Sequence, residues 1–241
     1  MKHKYTYDVK IQYYKPYWLS INTFIFICLS LFAFMVDAIG QESEVKNTKN
    51  VELEGKSVLI LGDSLSAGYG LPPGESFPDK LQIWLNLNHH NVTIINAGVS
   101  GDTSQGGRSR LEWVYSSIPN GGPDLVVIEF GGNDVLRGFE PKITQKNIEA
   151  MVMFLKNKKT KGLLTGMQSP PNMGSNYAQE FNAIYPNLAQ KHNIPFYPFF
   201  LEGVGGVPSL NQKDGIHPNE EGVKVIVNKI GPYVVDLLFG K

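Results

Sequence analysis

Four short stretches of this 241-residue chain carry side chains suited to acyl transfer. The first is "LGDSLSAGYGL", with Ser64 at a bend that follows an apolar run. A serine hydroxyl is a poor nucleophile until a general base removes its proton. The second stretch, "DGIHPN", supplies such a base in His217, with Asp214 three residues before it. A carboxylate this close can bind one ring nitrogen, fix the tautomer and stabilise the imidazolium, leaving the other nitrogen for a serine. Acyl transfer also needs donors aimed at the oxygen that becomes negative. "NAGVSGDTS" offers the Gly101 backbone N–H, "GGND" offers the Asn133 carboxamide, and the Ser64 amide is a third donor. Each residue has a plainer reading as well. Ser64 fits a helix N-cap, Gly101 a turn glycine and Asn133 an Asx turn, and Asp214 fits a cap beside an incidental histidine. The other histidines are placed less tellingly: His3 near the start, His89 and His90 in a polar turn, His192 at a helix end.

The elements that must position these residues follow from the apolar pattern. Runs at 57–62, 92–98, 124–132, 161–167 and 194–200 read as strands, mostly without strict alternation. That is the pattern of a parallel sheet buried on both faces. Between them, helical spacing covers 77–88, 143–158, 177–193 and 220–240. The predicted stripes are Leu81, Trp84, Leu85 and Leu87; Ile143, Ile148, Met151, Val152 and Leu155; Phe181, Ile184, Tyr185 and Leu188; and Val223, Ile226, Ile230, Val234 and Leu237. The alternation predicts a three-layer α/β/α domain over residues 55–241, with a five-stranded parallel sheet. Ligands of such sheets bind at the carboxyl ends of the strands. The four stretches fall at or near those ends, which favours the catalytic reading of all of them together.

Residues 1–40 stand apart. Four Lys and one Asp lie in the first eighteen residues, and an uncharged apolar run follows from Leu19 to Val36. With Ala38 and Gly40 as small residues before Gln41, this predicts a signal peptide of the secretory kind. The run is also close to the roughly 20 residues that span a bilayer, so a retained anchor is the other reading. Residues 41–54 read as a polar linker. The only cysteine, Cys28, lies in the apolar run, so the remainder has no disulfide and no cysteine metal site. The formal charge is zero, with 22 basic and 22 acidic residues, and gives no sign of a nucleic-acid partner.

The four stretches in order, "GDSL", "AGVSGDTS", "GGND" and "DGIHP", resemble the SGNH or GDSL hydrolases, from about Lys56 to the last helix. "LILGDSLSAGYGL", "SGDTSQGG", "GGNDVLRGF" and "FNAIYPNLA" are similar to the bacterial thioesterase I, lysophospholipase and arylesterase group. The resemblance implies Ser64 as nucleophile, His217 as base, Asp214 as its orienting acid, and Gly101 and Asn133 as oxyanion donors. It implies a flavodoxin-like sheet and a periplasmic or secreted esterase of broad acyl specificity that uses no metal or other cofactor. The expected partner is a small acyl ester or thioester, with lysophospholipid among the candidates and membrane proximity through the N-terminal segment. Leu65, Phe139, Met173, Tyr177 and the segment "PFFLEGVGGVPSL" are candidates for an acyl groove. Asp63, Asp102 and Asp134 are expected to brace the loops, and Asp134 is placed to pair with Arg137. A carbohydrate O-acetyl esterase and a non-catalytic binding module are the competing readings. An ordinary α/β-hydrolase is disfavoured because G-x-S-x-G is absent from the sequence.

Overall fold

A computed structural model describes residues 55–240; the predicted signal segment and the predicted linker lie outside the described residues. The sheet has five parallel strands in the order β2-β1-β3-β4-β5: β1 Lys56–Gly62, β2 Val92–Gly98, β3 Leu125–Glu129, β4 Lys161–Thr165 and β5 Phe196–Tyr197. β1 and β3 sit centrally, joined in register from Val58↔Leu125 to Gly62↔Glu129. Their side chains are almost all buried, which accounts for their unbroken apolar runs. β2 is an edge strand and only half-buried. The last strand is far shorter than the apolar run 194–200. Pro195 and Pro198 flank its two residues, and a proline has no N–H to give to a ladder.

The helices are α1 Ser64–Ala67, α2 Phe77–Leu87, α3 Ser104–Ser116, α4 Gly132–Leu136, α5 Pro141–Lys158, α6 Ser175–Asn182, α7 Ile184–His192 and α8 Glu220–Phe239. α2 packs with α8, and α5 with α3 and α7, giving the two outer layers. α2 starts at a capping box in which Ser76 and Asp79 bind each other's backbone N–H. Its Leu81 and Leu85 are buried, but Leu87 is 73% exposed and does not join the stripe. In α5 the predicted Ile143 is exposed while Thr144 and Asn147 are buried. In α8 the stripe ends on Leu238 rather than the half-buried Leu237.

Two helices depart from the periodicity. Residues 177–193 break into α6 and α7 at Ala183. Pro186 lies in the first turn of α7 and cannot donate to a carbonyl four residues back, so one continuous helix is interrupted there. α3 was not announced by its apolar spacing, because only Leu111 and Tyr115 supply large buried apolar groups. Thr103 caps it by accepting from the Gly106 N–H.

Candidate active site

β1 delivers the nucleophile candidate. The chain leaves the sheet at Gly62, where a Cβ would lie 2.2 Å from Ser66 Oγ and 2.5 Å from Glu129 Oε2. Only glycine fits that approach. Asp63, not Ser64, caps the short helix α1, its Oδ1 accepting the Leu65 N–H at 3.0 Å. Ser64 is thereby free of the capping duty and stands as the first helical residue, half-buried.

Across the cleft, the loop before α8 presents His217. Its Nε2 lies 2.9 Å from Ser64 Oγ, and its Nδ1 lies 2.7 Å from Asp214 Oδ2. Asp214 Oδ1 also accepts the backbone N–H groups of Ile216 and His217, at 2.9 and 3.0 Å. Burial works against the Asp214 charge, but these bonds outweigh it and hold the carboxyl at about 2. Asp214 is therefore ionised at any pH near neutrality.

Asn133 lies in α4, just past the end of β3. Its Nδ2 donates to Asp63 Oδ2 at 3.1 Å. One N–H fixes the carboxamide, and its residue lines the same cavity as Ser64 and His217. Gly101 is held differently. Its φ is +81°, and its carbonyl accepts Arg137 Nη2 at 2.6 Å. It does not line the cavity, which spans the residues around Ser64, Asn133 and His217. The structure thus brings Ser64, Asn133, Asp214 and His217 together and leaves Gly101 beside them, clamped to the helix that carries Asn133.

Three aspartates brace these loops. Asp63 spans α1 and Asn133. Asp102 accepts Arg110 Nε at 2.8 Å, while Arg110 Nη2 reaches the Gly62 carbonyl at 2.9 Å. Asp134 is fully buried and does not pair with Arg137, whose guanidinium is taken by Gly101. Asp134 instead accepts the Ser104 N–H at 2.8 Å, the Ser104 hydroxyl, and Thr144 Oγ1 at 3.0 Å. Asn147 donates to Ser104 Oγ at 3.1 Å, which explains why α5 buries two polar residues.

Beneath the nucleophile lies a carboxylate that the apolar pattern concealed. Glu129 ends β3 with no solvent exposure. Its Oε2 accepts the Asp63 N–H at 3.2 Å and the Ser66 hydroxyl at 2.8 Å, while Oε1 has no partner. Burial drives this carboxyl well above its ordinary range, and the Asp63 charge adds to the effect. Burial also raises Asp63, to about 6, against the bonds from Leu65 and Asn133. The signal available in the sequence was one acid inside the apolar run "LVVIEF".

The site opens on a cavity of about 520 Å³. Leu65, Val135, Met167, Phe199, Leu201 and Ile216 make much of its apolar wall. Of the groove candidates, Leu65 and part of "PFFLEGVGGVPSL" stand in this wall. Phe139, Met173 and Tyr177 do not. The Tyr177 hydroxyl donates to the Phe139 carbonyl at 2.6 Å and its ring stacks on Phe181, so Tyr177 is committed to packing. Among the described residues, no group of three or more His, Cys, Asp or Glu side chains is arranged to hold a metal ion.

A serine, an imidazole and a carboxamide around one apolar cavity suit the hydrolysis of esters, and known proteins place the chain in that class: it is a serine ester hydrolase. Within the class, the GDSL-like lipase/acylhydrolase family model matches residues 60–225, and the chain belongs to that family. It is 39% identical over 183 residues to the esterase TesA of Pseudomonas aeruginosa, covering 76% of this chain and 90% of that one. It is 39% identical over 172 residues to thioesterase 1/protease 1/lysophospholipase L1 of Escherichia coli K12, covering 71% of this chain and 80% of the relative. The crystal structure of AlinE4, an SGNH-hydrolase family esterase, matches at 45% identity with a TM-score of 0.65, over 77% of this chain and 97% of the other.

Proposed function

We propose that Ser64, His217 and Asp214 form the catalytic triad of this hydrolase, acting on carboxylic esters and acyl thioesters through an acyl-enzyme. The observation that carries the reading is the continuous path from Asp214 through His217 to Ser64 Oγ, at 2.7 and 2.9 Å. His217 Nε2 takes the Ser64 proton as Oγ bonds to the acyl carbon. The carbonyl oxygen becomes an oxyanion held by the Asn133 carboxamide and the Ser64 and Gly101 amides. His217 then gives its proton to the leaving alcohol or thiol, and the carbon–leaving-group bond breaks. A water, deprotonated by His217, repeats the sequence and frees the acid and Ser64.

The apolar wall and 520 Å³ volume support an acyl group larger than acetyl. This favours the thioesterase, arylesterase and lysophospholipase substrates over acetylated carbohydrate. Export to the periplasm or beyond, with membrane proximity through residues 1–40, is supported by the basic start and the apolar run. A panel of p-nitrophenyl esters, acyl-CoA thioesters and lysophospholipids of graded chain length tests the substrate class. Activity rising from acetate to medium chains is expected; activity confined to acetyl groups, acetylated sugars included, would refute it. The N-terminal sequence of the exported protein tests the signal.

A further inference from the structure

Ser64 and His217 lie 153 residues apart, and a separation of 2.9 Å must be held between them. One side chain outside the triad links the two loops. Gln212 Nε2 donates to the Tyr69 carbonyl at 2.7 Å and to the Pro218 carbonyl at 3.0 Å. The Gln212 backbone N–H donates to the His217 carbonyl at 2.7 Å. Tyr69 in turn donates its N–H to the Ser64 carbonyl at 3.2 Å. A hydrogen-bonded path therefore runs from the Ser64 backbone through Tyr69 and Gln212 to the His217 backbone. The carboxamide lies against Gly70, whose φ is +73° and where a Cβ would come within 2.1 Å of Gln212 Oε1. The Tyr69 ring, 55% exposed, rests on the His217 imidazole with centroids 4.7 Å apart.

We propose that Gln212 is a positioning residue: it clasps the loop after Ser64 to the loop of Asp214 and His217 and seats the Tyr69 ring on the catalytic imidazole. This rests on the triad reading above. The chemistry needs both parts. Proton transfer between Oγ and Nε2 requires hydrogen-bond distance, and a misplacement of an ångström is worth on the order of 10²-fold in rate. An aromatic face beside the ring favours the imidazolium that forms when the serine proton moves. The charged groups facing His217 are Asp214 on its own loop and Asp63 at the end of β1. Neither is touched by the clasp.

The test is steady-state hydrolysis of p-nitrophenyl butyrate by the purified protein and by Gln212→Ala, Tyr69→Leu, Tyr69→Phe and the Gln212→Ala/Tyr69→Leu pair. For Gln212→Ala, kcat is expected to fall by roughly 10- to 100-fold. KM should stay within about twofold, because neither residue lines the apolar cavity. Tyr69→Phe should behave as the parent does. Tyr69→Leu should likewise lower kcat with little change in KM, as the imidazolium formed on proton transfer loses its aromatic neighbour. The double variant should cost less than the product of the two single losses. A Gln212→Ala kcat within twofold of the parent overturns the proposal. So do fully multiplicative losses, or a Tyr69→Leu kcat within twofold of the parent. Should Gln212→Ala fail to fold, the Tyr69→Leu and Tyr69→Phe kcat values still decide. Ser64→Ala is run alongside: activity retained there overturns the triad reading itself, whereas its loss together with an indifferent Gln212→Ala overturns only the clasp.

Discussion

Replacing Glu129 with Gln should make the protein more stable at alkaline pH and leave it little changed in acid. Glu129 is buried with one oxygen unpartnered and a second acid, Asp63, hydrogen-bonded to it through its backbone N–H. Both folded-state values lie above the ordinary ones of 4.5 and 3.8. Between the two values the folded chain keeps a proton that the unfolded chain has released. Stability is then fully present below the unfolded value and falls as pH rises, by about 1.4 kcal/mol per pH unit for each such group. Asp63 contributes this slope only up to about 6. Above that Glu129 alone keeps the slope, for as long as the folded protein holds its proton. Glu129→Gln keeps the shape and an acceptor oxygen but has no proton to lose. Urea unfolding followed by circular dichroism at pH 5, 6.5 and 8 measures the difference, with other titrating groups common to both proteins. The variant should be within about 1 kcal/mol of the parent at pH 5 and gain on it as pH rises to 8, by at most about 1.4 kcal/mol per pH unit. Parallel pH dependence in the two proteins would refute a retained proton on Glu129.

Three further outcomes are expected. Asn133→Ala should lower kcat on the order of 10²–10³-fold with little change in KM, read by ester hydrolysis at saturating substrate. Phe199→Ala removes part of the cavity wall, so kcat/KM for a medium-chain ester should fall roughly fivefold, about 1 kcal/mol, while p-nitrophenyl acetate is hydrolysed as before. Asp134→Ala strips the partner from Ser104 and Thr144 inside the protein and should cost about 2–4 kcal/mol in urea unfolding.

The sheet was legible in the sequence because parallel strands buried on both faces carry unbroken apolar runs, as "VLIL" and "LVVI" do. The catalytic loops were legible because glycine, serine and polar residues follow those runs at the strand ends. What escaped notice was set by tertiary contact. α3 carries too few apolar residues for periodicity to find it, since it is held by Thr103 and the Ser104–Asp134 bonds. Thr144 and Asn147 look like solvent residues until Asp134 and Ser104 are placed opposite them. Glu129, Tyr69 and Gln212 act across 60 or more residues of sequence, and no local pattern reports such partners. Tyr177 suited a groove by type, yet its stacking on Phe181 and its bond to the Phe139 carbonyl could be seen only in three dimensions.

The central claim is that Ser64 is the nucleophile, and covalent labelling tests it most directly. The purified protein is treated with diethyl p-nitrophenyl phosphate, its intact mass is measured, and the modified peptide is located by fragmentation. One diethylphosphoryl group per chain, on the peptide holding Ser64, with loss of ester hydrolysis and no labelling of Ser64→Ala, is the predicted result. Stoichiometric labelling at another residue, or Ser64→Ala that keeps most of its esterase activity, would contradict it.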